Sequence, residues 1–476
     1  MRRIIVLVVC MSLLIGILNA CDKPSNQPKS TSSNDEKRVQ STKPTETVIQ
    51  IPKPTNDSDV KEIVVATYYD YVKVAMEEFI RLHPDFPYKI RVITYVSTGG
   101  GYFENLFDFG IDNPHSTDLA IIPQDSLGEY TKGKYVEYTT PYEELGLDME
   151  ALIKEADVEP YVVEVGKRED GKVVALSTES PTGAFFYRRS IAKEVWGTDE
   201  PAIIQKKVGG SWDNFLTAAE KLKEKGYAIL SSYDDLLNPI LGGASKGWVV
   251  DGKLYIDPKK EAFFDLAKTI YDEGYDTGVR AWSEEWRQDT GGTRDRQVFG
   301  YFCGNFFTAL LQDTSGGKLG EGTYGDWALC QPINSFHQGG EYVVVNNKCK
   351  AKQEVGELVQ WLTLDTSNKG YQYYKVNALL ETRYLEPMCP SSKKVMQSVK
   401  SKKIEGLLGG QNIFATIASF EDTSSAKSKT QYDIMLDSFW MEAAREYVLG
   451  TKTKEQAIEQ FKDCVKANYS TEILVE

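Results

Sequence analysis

Histidine is nearly missing from this sequence. Three occur in 476 residues, His83, His115 and His337, and no two stand at a metal-ligand spacing. A site built from imidazoles is therefore unsupported, and each histidine reads as structural. Cysteine is also sparse, and none of the seven has the CxxC spacing of a zinc ribbon or a thioredoxin-type motif. Beyond Cys10 and Cys21, the five that remain (Cys303, Cys330, Cys349, Cys389 and Cys464) read as buried free thiols. An excess of basic residues is lacking too. Lys and Arg number 55 against 69 Asp and Glu, and a net charge of −14 argues against nucleic acid or an anionic membrane surface as partner. Past the N-terminal segment no run is apolar enough to span a bilayer, and no fixed-period repeat marks a solenoid or propeller.

Catalytic signatures are missing as well. Gly243-Ala244-Ser245-Lys246-Gly247 matches GxSxG, but a nucleophile elbow needs a strand before it and a helix after it. The next residues, Trp248 to Leu254, read instead as a hairpin turning at Asp251-Gly252. Asp289-Thr290-Gly291 resembles half of an aspartic-protease site, with no second copy to share its proton. Thr98-Gly99-Gly100-Gly101 lacks the GxxxxGK[ST] pattern of a nucleotide-binding loop. No paired carboxylate stands out, although so many acidic residues leave a surface glycan hydrolase as an alternative. The expectation is a protein that is not an enzyme and uses neither cofactor nor metal.

The N-terminus carries the first positive signal. Arg2 and Arg3 precede an apolar run, Ile4 to Leu18, which ends at Leu18-Asn19-Ala20-Cys21. A charged start, a short apolar stretch and a small residue before the cut describe a secretory signal over residues 1–20. The four residues ending at Cys21 resemble the lipobox of bacterial lipoproteins, with Asn19 departing from its commonest form. That resemblance implies acylation of Cys21, which would hold the mature chain outside the cytoplasm, anchored to the cell membrane. Residues 22–59 are rich in Ser, Thr, Pro, Asn, Asp and Lys and contain no aromatic residue. Such a segment buries too little apolar surface to offset its chain entropy, so 21–60 reads as a lipidated cysteine and a disordered linker. A flexible chain of that length spans roughly 30–40 Å.

From about Lys61 aromatic residues become frequent, and the remaining length is too great for one core. Two lobes are expected. Glu62 to Ala66, Ile90 to Ile93 and Leu119 to Ile122 read as strands. Val72, Met76, Phe79 and Ile80 recur with helical spacing between the first two, and Phe103, Leu106 and Phe107 predict a short helix before the third. This alternation predicts an α/β unit with a mostly parallel sheet. Ligands in such sheets sit beyond the carboxyl ends of the strands, which singles out residues 67–70, 95–102 and 123–126. Further on, Ser211 caps a helix through Phe215 and Leu222, and Phe263 to Tyr271 forms another that stops at Gly274. Val355 to Leu362 and Tyr432 to Leu449 read as helices, and Thr453 with Gln456 is a capping-box signature.

Several segments, taken in order, resemble the carbohydrate-binding, maltose-binding-protein-like group of bacterial extracellular solute-binding proteins. They are Thr117 to Ile122, Gly171 to Leu176 leading to Thr182-Gly183-Ala184-Phe185-Phe186-Tyr187, Ser211-Trp212-Asp213, Tyr324 to Pro332 leading to Gly339-Gly340, and Gly409-Gly410-Gln411-Asn412. The resemblance runs over nearly all of residues 61–466. It implies a periplasmic-binding-protein-like fold: two α/β lobes, hinge strands and an interlobe ligand cleft. The N-terminal lobe would comprise 61–180 and 338–384, and the C-terminal lobe 181–337 and 385–476. Crossings between lobes are expected near 180–184, 335–342 and 384. The implied activity is capture of a sugar or oligosaccharide by a monomer and its delivery to the permease subunits of an ABC transporter. A non-sugar solute on the same fold, and a receptor feeding a sensor kinase, are the alternatives.

Sugars present hydroxyl groups and apolar C–H faces, so their sites combine aromatic platforms with directional polar groups. Strand-end position selects Tyr68, Tyr69 and Asp70, with helix capping as the competing role of Asp70. It also selects Gln124 and Asp125, where the family places a sugar-contacting carboxylate. The resemblance adds Thr182 at the first crossing, Phe306 where relatives often carry a stacking tryptophan, Trp327, Asn412, and Gln338 before the paired glycines. Gln338 departs from the aromatic that many relatives have there. Trp212, Trp248, Trp282, Trp286 and Trp440 read as core residues.

Overall fold

The computed structural model describes residues 45–49, 61–94, 117–380, 388–424, 426 and 429–476. The expected leader, the lipidation site Cys21, the short helix at Phe103, the strand-end segment 95–102 and the crossing near Tyr384 lie outside these residues.

The first sheet is built from β1 Thr45–Ile49, β2 Glu62–Thr67, β3 Lys89–Thr94, β4 Leu119–Pro123, β5 Ala175–Ser177 and β11 Glu341–Val345. These six strands lie in the order β1-β3-β2-β4-β11-β5. β2, β4 and β11 are near-continuous runs of Ile, Val, Leu and Ala because helices cover both faces of the central sheet. β2 pairs in parallel with β3 and β4, while β1, β11 and β5 pair antiparallel. The sheet is thus mixed rather than mostly parallel, because β11 re-enters from the other lobe in the opposite sense.

One expectation is overturned at β1, which falls within the stretch read as a disordered linker. Four of its five residues, Thr45, Thr47, Val48 and Ile49, are β-branched, and its backbone pairs with β3 from Thr45↔Thr94 to Ile49↔Ile90. Averaging composition over the whole segment hid this short pattern.

The second sheet is antiparallel, with β6 Gly183–Arg188 between β9 Gly300–Gly304 and β10 Trp327–Cys330. Period-two alternation along β6 sends Phe185 and Tyr187 into one apolar cluster and Ala184 and Phe186 into another, so helices pack on both faces. β7 Val249–Val250 and β8 Lys253–Leu254 make the predicted hairpin, with Asp251 at φ 51° and Gly252 at φ 74°. The predicted helices appear as Tyr71–Leu82, Trp212–Glu224, Pro258–Asp272, Lys352–Thr363, Asp433–Val448 and Lys454–Tyr469. Ser211 accepts from the Asn214 amide, and Thr453 with Gln456 completes the capping box. Cys303, Cys330, Cys349 and Cys389 are buried thiols outside any disulfide. Cys464 is buried as well.

A separate core fills each lobe. The first draws on residues from Ile63 to Leu176 and from Tyr342 to Leu379; the second lobe holds two clusters on the two faces of its sheet, one with residues from Phe185 to Phe336 and from Leu436 to Ile473, the other with residues from Ala184 to Leu329 and from Val395 to Ile417. The chain passes between the lobes through the segments flanking β5 and β6 and those flanking β10 and β11.

Candidate ligand-binding site at the lobe junction

The crossing segments lie side by side. Isolated bridges join Thr182 to His337 and Glu179 to Pro390. Asn305, fully buried at the end of β9, ties two of them to the second lobe. Its amide nitrogen donates to Ser180 O at 2.8 Å and Thr182 O at 3.1 Å, and its oxygen accepts from Cys389 N–H at 2.9 Å. Both amide hydrogens and one lone pair of the oxygen are used, which suits a residue that must hold irregular backbone in a buried place. Gln338 adds a clip: its backbone donates to Pro181 O at 2.8 Å and its Oε1 accepts from Gly304 N–H at 2.9 Å.

Consecutive residues of an extended segment face opposite ways, and His337 and Gln338 do so. On the Gln338 side stands Phe306, partly buried. A Cβ on Gly339, which has φ 86°, would meet the Phe306 ring at 3.1 Å and Met388 Cε at 3.3 Å, so glycine lets the ring lie against the crossing strands. Trp282, read from sequence as core, is also only partly buried and lies near-parallel to Phe306, with centroids 6.1 Å apart and 23° between planes.

On the His337 side lies a small recess, lined among others by Glu159, Thr182, His337, Lys393, Phe420 and Asp422. Thr182 Oγ1 donates to Glu159 Oε1 at 3.3 Å, and Glu159 Oε2 has no partner. Burial pushes the Glu159 carboxyl up to about 7, against the hydrogen bonds of Ser180 and Thr182 and the charge of Lys393. The His337 ring lies 3.1 Å from Asp422 through Nε2 and is stacked on Tyr161. Burial lowers its pKa despite Asp422, whose carboxyl is itself held at about 2: burial would raise it, but hydrogen bonds from His337 and Ser424 prevail. A neutral imidazole donating from Nε2 to the ionised Asp422 satisfies both, and it leaves Nδ1 as an acceptor without a partner.

The strand-end candidates take varied positions. Tyr68 and Tyr69 are partly buried against the first core, and Tyr69 stacks on Tyr71 at 5.6 Å. Asp70 precedes the helix Tyr71–Leu82 but makes no side-chain cap; its side chain is 86% exposed and lies 3.6 Å from Lys73 Nζ. Gln124 N–H donates to Gly340 O at 3.0 Å and its Oε1 accepts from Tyr342 at 3.4 Å, which joins the end of β4 to the crossing. Asp125 is exposed at its own surface, yet the protein around it desolvates its carboxyl and raises its pKa, with Lys429 opposing. Both observations fit a carboxylate set in a concave wall.

Two candidates are corrected. Trp327 is fully buried between Tyr301 and Phe307, with its Nε1–H donated to Thr323 Oγ1 at 3.0 Å, so its ring packs the interior of the second lobe beside Ala184 and Phe186 and has no face left for a ligand. Asn412 caps the helix Ile413–Ala418, accepting from Phe414 and Ala415 while donating to Val399 O, which occupies its polar atoms. The residues sequence reasoning missed (Glu159, Tyr161, Trp282, Asn305 and His337) carry no motif. The catalytic look-alikes are engaged structurally: Ser245 donates to Asp257 Oδ2 at 2.7 Å, and Asp289 accepts from Ser231, Thr277 and Arg294. Among the described residues no three His, Cys, Asp or Glu gather as a metal site, and no helix is long and apolar enough to cross a membrane.

Residues 110–378 match a family model described as bacterial extracellular solute-binding protein. No curated protein sequence matches the chain. Among solved structures, an extracellular solute-binding protein of family 1 aligns with TM-score 0.67 at 15% identity, covering 86% of this chain and 99% of its own. The galacto-N-biose-/lacto-N-biose I-binding protein of a Bifidobacterium longum ABC transporter, in complex with lacto-N-biose, aligns with TM-score 0.62 at 17% identity, covering 88% and 98%. The cyclic α-maltosyl-1,6-maltose binding protein of Arthrobacter globiformis aligns with TM-score 0.57 at 14% identity, covering 86% and 98%.

Proposed function

The chain belongs to the bacterial extracellular solute-binding proteins, and from that premise we propose that it captures a mono- or oligosaccharide between its lobes and delivers it, unaltered, to the permease of an ABC transporter. One observation carries the carbohydrate reading: Phe306, a partly exposed aromatic ring set against Gly339 and Met388 where two crossing segments leave the second lobe. An apolar face there, with amide and carboxylate groups nearby, suits the mixed surface of a sugar. Tyr69, Asp70, Gln124 and Asp125 supply contacts from the first lobe, and Gln338 from the hinge. Domain closure about the crossing segments traps the ligand. Two of the similar solved structures are sugar-binding proteins by name, which supports the same class.

Transport without turnover accords with Ser245 and Asp289 being occupied in packing contacts. The family places the protein outside the cytoplasm, and acylation of Cys21 would tether it as a monomer at the membrane surface. A Cys21→Ala protein should then be released from membranes into the medium. The ligand class is tested by thermal-shift screening of sugars, amino acids and polyamines on the full chain, since a ligand at 100 times its Kd adds about 2.7 kcal/mol. Shifts with carbohydrates alone, and no product from a chromogenic glycoside panel, are expected. Shifts confined to other solutes, or release of chromophore, would overturn the reading.

A further inference from the structure

β1 enters the first sheet in the opposite sense to its neighbour. β2, β3 and β4 run in parallel and finish at Thr67, Thr94 and Pro123, so their carboxyl ends share one end of the sheet, the end beyond which ligands sit. β1 pairs antiparallel with β3, placing Thr45 opposite Thr94 and Ile49 opposite Ile90. The chain that precedes Thr45 therefore joins the lobe at the cleft end. Without β1 it would join at Glu62, where β2 begins, which is the far end. A six-residue strand separates the two ends, about 20 Å at the usual rise per residue. One short strand thus carries the point of attachment across the sheet.

That point matters because of what lies upstream. Residues 22–44 connect Thr45 to Cys21, the expected acylation site. A coil of that length has a root-mean-square span of roughly 25–30 Å, against a body on the order of 50 Å across. A tether shorter than the body it holds keeps the attached end toward the membrane and the other end away from it. A solute leaving the cleft passes to a permease in that same membrane, so attachment at the cleft end raises the effective concentration of the docking orientation.

We propose that β1 is an orienting clamp: by pairing with β3 it turns the cleft end of the first lobe toward the bilayer. This rests on the acylation of Cys21. Along an edge strand, successive N–H groups point alternately at the neighbour and at solvent, so prolines at two adjacent positions remove one ladder bond whichever residue donates it. Thr47→Pro with Val48→Pro should unpair β1 and return the attachment to Glu62, with loss of hydrogen-exchange protection in β3 as the check. Where protection persists, glycine at all five positions of 45–49 is the second variant.

The experiment uses the acylated full chain in phosphatidylcholine vesicles that carry an acceptor dye on their headgroups. A donor dye is placed by Asp70→Cys, exposed just beyond β2 at the cleft end, or by Asp85→Cys, exposed before β3 at the far end. Energy transfer should be higher from position 70 than from position 85, and unpairing β1 should abolish or reverse that order. Equal transfer from the two positions with β1 intact, or an order that survives unpairing, would overturn the clamp while leaving the anchor in place. Protein that does not float with the vesicles, or floats as well after Cys21→Ala, overturns the acylation reading and this inference together.

Discussion

Tyr161 and His337 stack with ring centroids 3.5 Å apart and 15° between their planes, joining the first core to the crossing segment that leads out of the second lobe. Tyr161 is only 4% exposed, so truncation removes a large buried aromatic at the pivot. Tyr161→Ala should lower stability by about 3–5 kcal/mol, read by denaturant unfolding, whereas Tyr161→Phe keeps the stack and should cost far less. Equal losses in the two variants would show that the ring contact contributes little.

Acid should act on the other partner. Burial lowers the His337 pKa below its ordinary 6.5, so the unfolded chain takes up a proton there before the folded one does. Stability from this group is complete above about pH 6.5 and declines as pH falls through the folded value. His337→Phe retains a ring for Tyr161 and removes the titration. It should flatten the loss of melting temperature between neutral pH and pH 5 relative to the unaltered protein.

Glu159 should act with the opposite sign in the same recess. Its carboxyl is raised from 4.5 to about 7 by burial, so the folded state holds the proton more tightly than the unfolded state. Its contribution is complete below about pH 4.5 and is lost as pH rises through 7. A shift of that size corresponds to about 3 kcal/mol at most. Glu159→Gln keeps an acceptor for Thr182 and cannot ionise, so it should melt higher than the unaltered protein at pH 8 and no higher at pH 4.5. An identical difference at the two values would remove Glu159 as the titrating group.

How much of this was legible in the chain depends on the range of the interactions. The hairpin at Asp251-Gly252 and the capping box of Thr453 and Gln456 are local devices, and both appear where the sequence places them. The buried strands announce themselves as apolar runs. The junction does not: Asn305 bonds to residues 125 and 84 positions away, which no window of sequence contains. Trp282 reads as core because most indoles are, and nothing in Arg280-Ala281-Trp282-Ser283 reveals its left-handed backbone, at φ 66°. Trp327 fails as a ligand contact for the opposite reason, since full burial by Tyr301 and Phe307 is a tertiary outcome that a matching segment cannot show.

Asp125 offers a test of the strand-end principle by itself. The residue is exposed at the surface, while the protein around its carboxyl desolvates it and Lys429 from the C-terminal segment opposes that effect. A side chain with that little packing should be removable without harm to the empty protein, so Asp125→Ala should leave its melting within about 0.5 kcal/mol. Ligand affinity should fall, because a charged hydrogen-bond acceptor in a concave wall contributes about 1.5–3 kcal/mol when it meets a sugar hydroxyl. Asp125→Asn, which keeps the shape and half the acceptor capacity, should fall between the two.

Asn305 carries the mechanical prediction. Its three hydrogen bonds hold Ser180, Thr182 and Cys389 where two crossings run past β9, all in a fully buried setting. Asn305→Ala leaves two carbonyls and one amide without partners, at about 1–3 kcal/mol for each that water cannot reach. Asn305→Asp should be worse than alanine, because a carboxylate oxygen then faces the Ser180 and Thr182 carbonyls and repels both. That order, aspartate below alanine below asparagine, separates a polar clip from simple volume, since aspartate fills the same space. Urea unfolding at neutral pH gives the ranking. If aspartate matches asparagine, the amide donor is not what holds the crossings together.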